Sequence, residues 1–198
     1  MLSKNGFLKP LVLFGLLVSA TLPASATTLI RAGLDELTDA NQAIVMGEVI
    51  DSYSYWNSDG TFILTDVRVE VLDVLKGTFK KKADLTITLM GGTVGDLTTL
   101  ILGGAELVPG ASYVLFLNEE TLPGEVSVLT VRDHCQGVFE VVDSQGELMA
   151  VSQASAHPLF PDAQGIADAP GGLQGVSLDA MVRTVRDRLA NSSSAPRR

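Results

Sequence analysis

The sequence predicts a mainly-β domain: a small antiparallel barrel or sandwich flanked by two helices. Three observations lead there. Short runs with alternating or continuous apolar character recur along most of the chain. Turn residues separate them at hairpin spacing. Two segments, near either end of the β-rich stretch, carry helix signals. With 198 residues, 46% of them apolar and 19% charged, the chain can bury one ordinary core.

The elements follow in order. Residues 34–40 (Leu-Asp-Glu-Leu-Thr-Asp-Ala) read as a short helix with acids in its first turn, where the dipole favours them. Residues 43–50 read as a strand, apolar apart from Gly47 and Glu48. Asn57-Ser58-Asp59-Gly60 is turn chemistry, because Asn and Asp tolerate left-handed backbone and Gly adopts it freely. The strand over 62–75 has the clearest alternation: Ile63, Thr65, Val67, Val69 and Val71 on one face, Asp66, Arg68 and Glu70 on the other. Its unbroken length favours a barrel, where strongly coiled strands close the sheet.

Lys76-Gly77 ends that strand, and Lys80-Lys81-Lys82 mark a solvated connection that keeps a strand end soluble. Leu85, Ile87 and Leu89 alternate with threonines in a third strand. Residues 113–117 (Tyr-Val-Leu-Phe-Leu) are apolar throughout, which predicts a central strand. Strands over 126–131 and 137–142 follow, and Asp143-Ser144-Gln145-Gly146 turns the chain into a last strand over 147–151. Residues 153–176 are rich in Pro, Gly, Ala and Asp and read as an irregular loop. Ser177 can cap a helix over 177–190, whose Leu178, Met181, Val182, Val185 and Leu189 form one stripe suited to docking on the β-domain. Residues 191–198 read as a frayed tail.

The N-terminus carries an export signal. Lys4 and Lys9 precede a short apolar run, Leu11 to Val18, and Pro23-Ala24-Ser25-Ala26 offers the small residues that signal peptidase requires. Cleavage after Ala26 leaves a β-domain over 27–152 with no membrane span, in the periplasm or outside the cell. The formal charge is −9, and loss of both leader lysines makes the mature chain more acidic still. That balance excludes a dedicated nucleic-acid binder, which needs a basic face. One cysteine excludes an internal disulfide framework.

Chemistry is sparse. His134-Cys135 with His157 is the one set resembling metal ligands, yet adjacent strand residues point to opposite faces, and the spacing matches no zinc module. The expected role of Cys135 is a small buried apolar residue, with both histidines on surface loops. A Cys–His hydrolase lacks a surrounding signature, so no catalytic residue, metal or cofactor is assigned. Gly91-Gly92-Thr93-Val94-Gly95 has no Lys-Ser/Thr ending and no α/β context, so it is not a phosphate loop. Its glycines suit a loop that crosses a barrel end and offers a contact surface, with Gly91 and Gly92 as candidates. Tyr53, Tyr55 and Trp56, expected at the mouth of the first hairpin, are candidates for stacking on a sugar or anchoring a protein.

Residues 41–49 (Asn-Gln-Ala-Ile-Val-Met-Gly-Glu-Val), then 65–71 (Thr-Asp-Val-Arg-Val-Glu-Val) running into Leu75-Lys76-Gly77, carry a resemblance. They are similar to the front half of netrin-like modules, the OB-fold domains of tissue inhibitors of metalloproteinases. The chain from about 34 to 189 also resembles a group of exported bacterial proteins of uncharacterised activity, on its Gly-Gly loop, its 109–117 strand and its 136–141 strand. The resemblance implies an OB-like barrel. In those inhibitors an N-terminal cysteine chelates the target's zinc through its amine and carbonyl; here the corresponding candidate is the amine of Thr27, with no disulfide to hold it.

The expected function is therefore an exported, non-enzymatic binding module. Its partner would be another exported protein, with a metalloprotease suggested by the resemblance. A structural or accessory role in the cell envelope is the alternative, ahead of a small Cys/His-dependent hydrolase or metalloenzyme.

Overall fold

A computed structural model describes residues 31–125, 127–131, 134–156 and 175–194. Residues 1–26, read from the sequence as an export signal, Thr27, His157 with most of the predicted irregular loop, and the tail beyond 194 lie outside the described residues. Helix α1 (Leu34–Ala40) leads into β1 (Ala43–Trp56), β2 (Ile63–Lys76) and β3 (Asp84–Met90). A small hairpin follows, β4 (Gly92–Val94) and β5 (Leu97–Thr99). Then come β6 (Ser112–Glu120), β7 (Val128–Val131), β8 (Val138–Ser144), β9 (Glu147–Ser152), β10 (Val176–Ser177) and helix α2 (Leu178–Ser194).

The main sheet is antiparallel, in the order β10-β9-β8-β6-β1-β2-β3, with β7 also paired to β6. The continuous apolar run of 113–117 has the central place its composition demands. Tyr113, Leu115 and Leu117 face one core, and Val114 and Phe116 face a second. The first core joins them to Val45, Val67, Val69, Val71 and Ile87 on the inner face of β1, β2 and β3. The second lies on the outer face, where Leu37 of α1 and Leu178, Met181 and Val185 of α2 cover Ile44, Phe116 and Phe139. The predicted helical stripe thus docks on the sheet, and one sheet divides two cores.

β1 and β2 depart from a flat ladder. Their register shifts between Ile44 and Val45, Met46 and Gly47, and Val49 and Asp51. Each irregularity increases the local right-handed twist, which curls the pair around the first core. Gly47 stands where the strands approach closely: an added Cβ would strike a Val69 methyl and lie 2.9 Å from the Glu70 carbonyl oxygen. The sheet curls, but no ladder joins β3 to β7 among the described residues.

The differences from the sequence-based expectation are local: α2 runs to Ser194, into the stretch read as a tail, and Val176–Ser177 pair with β9 as β10 before the helix begins. Residues 92–99 form the β4–β5 hairpin rather than a plain glycine loop. β1 continues six residues past Ile50, because the polar-aromatic stretch 51–56 pairs with the alternating half of β2 out to Ile63.

Candidate functional site

The longest connection among the described residues runs from β3 to β6, and it folds back over the inner face. Two glycines make this possible. Gly91 and Gly92 have φ of 92° and 132°, backbone that side chains resist. The Gly91 N–H donates to the Ile63 carbonyl at 2.9 Å, and Thr65 Oγ1 donates to the Gly91 carbonyl at 2.7 Å. A Cβ on Gly92 would strike Thr65 Oγ1 and sit 2.5 Å from Ser54 Oγ. Both glycines therefore seat the β4–β5 hairpin on the Ser54–Thr65 hydroxyl pair.

Beyond β5 the chain crosses back as an extended segment clamped through its backbone. The Cys135 N–H donates to the Gly103 carbonyl at 2.9 Å. The Gln153 side chain grips Glu106 from both sides, donating to its carbonyl at 2.5 Å and accepting from its N–H at 3.1 Å. The Val108 N–H donates to the Tyr113 hydroxyl at 3.0 Å. Leu107 plugs the first core, and Ala105 packs beside it.

The outward side chains are not those of an ordinary loop. Leu97, Leu100, Leu102 and Val108 are 60, 76, 70 and 57% exposed. Connections are normally polar outside. Here a backbone held by hydrogen bonds keeps four large apolar groups in water.

Three open cavities adjoin it. One of about 350 Å³ lies between β3 and β7, walled by Leu89, Met90 and Val131 under Ile101, with His134 and Glu120 also lining it. A second, about 310 Å³, opens beside Gly91, Gly92, Leu100, Val108 and Glu106. The third, about 400 Å³, is bounded by Leu100, Leu102, Glu106, Cys135, Glu140 and Gln153. Among the described residues no lysine or arginine lines any of the three.

The aromatic candidates do not join this surface as a group. Strand alternation puts Tyr53 and Tyr55 on the outer face with Asp66, while Trp56 shares the face of Ser54 and Ile63. They lie on the extended end of β1 rather than on a hairpin loop. The two tyrosine rings stack at 6.2 Å. Tyr55 Oη donates to Asp66 Oδ1 at 3.1 Å, and Thr88 Oγ1 donates to the same oxygen at 2.7 Å. Burial and the Asp66 charge push the Tyr55 phenol up to about 12. Tyr55 is fixed, and Tyr53 stands 72% exposed beside it.

Cys135 is buried and His134 exposed, with the histidine at φ 66°. Burial, with the Glu106 charge adding to it, pushes the Cys135 thiol up, so the nucleophilic thiolate is disfavoured. Among the described residues no three His, Cys, Asp or Glu side chains gather into a metal-holding group. No helix described is long and apolar enough to cross a membrane. Of the predicted lysines, Lys81 pairs with Asp73 at 2.7 Å.

Sequence reasoning singled out Gly91 and Gly92 in this connection but not the exposed Leu97, Leu100, Leu102 and Val108 or the Gln153 clamp. The available signal was Leu97-Thr-Thr-Leu-Ile-Leu102, an apolar stretch that fits neither strand nor helix periodicity and is followed by Gly103-Gly104. A scan against protein-family models finds no match to the chain, and a search of curated proteins finds none.

Proposed function

We propose that this chain is an exported, non-enzymatic binding module that engages another exported protein through the β4–β5 hairpin and the crossing segment 100–108. The observation that carries the reading is the set of exposed Leu97, Leu100, Leu102 and Val108 on a backbone clamped by Gln153, Cys135 and Tyr113. Burying such side chains against a partner contributes roughly 1.5–3 kcal/mol each, and little is lost in ordering a segment already fixed.

The same proposal includes an OB-like barrel left open at one seam. What supports it is that β1, β2, β3 and β6 wrap one core with Val131 of β7, and that β3 and β7 both wall the first cavity. Export rests on the leader-like residues 1–26. A metalloprotease as partner, met by the Thr27 amine, rests on the netrin-like resemblance alone. The surface at 97–108 does not depend on it.

The test compares the tagged mature chain with a Leu100→Ser/Leu102→Ser variant, each recovered from the exported fraction of its own host. A stoichiometric partner retained by the first and lost by the second is the expected result. A partner held equally by both would remove the surface from the proposal. Recovery alone, or with bulk envelope material, would favour the structural role.

A further inference from the structure

The second core, which the helices cover, takes no β1 residue beyond Met46. Past that point cross-strand pairing builds two rows on the outer face. Tyr53, Asp66 and Thr88 form one row, and Asp51, Arg68 and Thr86 form the next. Their side chains are held in place. Tyr53 is 72% exposed, yet its ring lies within 10° of parallel to the Tyr55 ring. Tyr55 and Thr88 both donate to Asp66 Oδ1, which leaves Oδ2 to accept from a further hydroxyl. Arg68 donates to both Asp51 oxygens, at 3.2 and 2.6 Å, and to Asp84 at 3.4 Å. An aromatic face therefore stands beside a fixed set of planar donors and acceptors.

We propose that this face binds a neutral polysaccharide, one sugar ring stacking its C–H face on Tyr53 while its hydroxyls meet the Asp66 carboxylate and the Asp51–Arg68 pair. Charge selects a neutral sugar. An acidic polysaccharide or a nucleic-acid phosphate would meet Asp51, Asp66 and Asp84 around the single Arg68, which two of them already hold. The centre of a protein interface is depleted of charge, whereas the neighbours of Tyr53 in these two rows are charged or carry hydroxyls. A sugar offers both an apolar face and a rim of hydroxyls, which this mixture matches. Tyr53 lines none of the three cavities, so the site is open, as suits a chain lying across it rather than a small molecule enclosed. It lies on the opposite face of the sheet from the crossing segment and does not depend on that reading.

The test is affinity electrophoresis of the mature chain. Native gels are cast with hydroxyethylcellulose, galactomannan or dextran as neutral probes, with polygalacturonate as an acidic one, and without polysaccharide. Retardation in at least one neutral gel and none in polygalacturonate is the expected result. Tyr53→Ala should lower the affinity for that polysaccharide about tenfold. Tyr53→Phe should keep it, since the ring and not the hydroxyl makes the stack. Asp51→Ala/Arg68→Ala should weaken it, and Leu100→Ser/Leu102→Ser should leave it unchanged. Free migration in all three neutral gels would overturn the proposal, as would retardation that survives Tyr53→Ala. Equal or stronger retardation by polygalacturonate would overturn it too. Far-UV circular dichroism of each variant establishes that it is folded.

Discussion

Lys76 Nζ donates a 2.7 Å hydrogen bond to the Thr38 carbonyl, so the last residue of β2 closes the open C-terminal end of α1. The Asp39 carbonyl lies 3.3 Å from the same ammonium. A cation there also meets the negative end of the helix dipole. The Lys-Gly pair that ends the second strand thus fastens a helix to the sheet. Gly77 supplies the left-handed backbone, φ 103°, that lets the chain leave beside Ala43.

Replacing Lys76 with Met should lower stability by about 1–2 kcal/mol, read as a shift of the urea midpoint at constant slope. Lys76→Arg should recover part of it. An unchanged midpoint in Lys76→Met would mean that water serves those carbonyls equally well.

Gly92→Ala should unseat the β4–β5 hairpin. It combines a disfavoured φ of 132° with a clash against the Ser54 and Thr65 hydroxyls. Gly95 has φ 60° but open space around its Cα, so Gly95→Ala should cost about 1 kcal/mol and no more. Amide exchange would distinguish them. Gly92→Ala should speed exchange of the Gly91 N–H, which donates to Ile63, while Gly95→Ala leaves it protected.

Acid should loosen the helical side. A hydrogen bond from Arg188 holds Asp39 below its ordinary value of 3.8, and one from Lys81 does the same for Asp73, which also faces Arg186. A carboxylate depressed in the folded state stabilises fully above 3.8, and that contribution is lost as the pH falls through the lowered folded values. Thermal midpoints should hold steady above this point and decline below it. The Asp39→Asn/Asp73→Asn variant should start lower and decline less steeply. A variant with the wild-type slope would show that these pairs do not govern the acid limb.

Cys135 should resist thiol reagents while the chain is folded. Its side chain is buried and its thiol is pushed up by that burial. Modification by a bulky disulfide reagent should run at least about a hundredfold slower than in urea, because reaction needs both exposure and thiolate. Rapid stoichiometric labelling of native protein would contradict this placement.

Where patterning is strong, the chain's design is legible in its residues. The alternation Ile63 to Val71, the continuous run 113–117 and the stripe from Leu178 to Leu189 each predict the face that is buried. Gln145-Gly146, with φ of 57° and 87°, is the tight hairpin turn its composition announces. Three things were not legible. β1 extends to Trp56 because cross-strand pairing with β2 overrides a polar local sequence. The twist at Ile50 and Leu72 depends on register, which no single strand specifies. The clamp at Glu106 joins residues 47 positions apart through one glutamine, and a lone Gln153 in a polar stretch gives no hint of it.

Site-specific photo-crosslinking in the protein's own host would bear hardest on the proposal. A photoreactive residue is placed at Leu100, at Tyr53 on the outer face, or at Glu36 on the helical side. Position 100 should yield a discrete adduct with another exported protein, and position 36 should yield none. Adducts from 53 or 36 with none from 100 would contradict the crossing segment as the binding surface and move the site to the opposite face of the sheet.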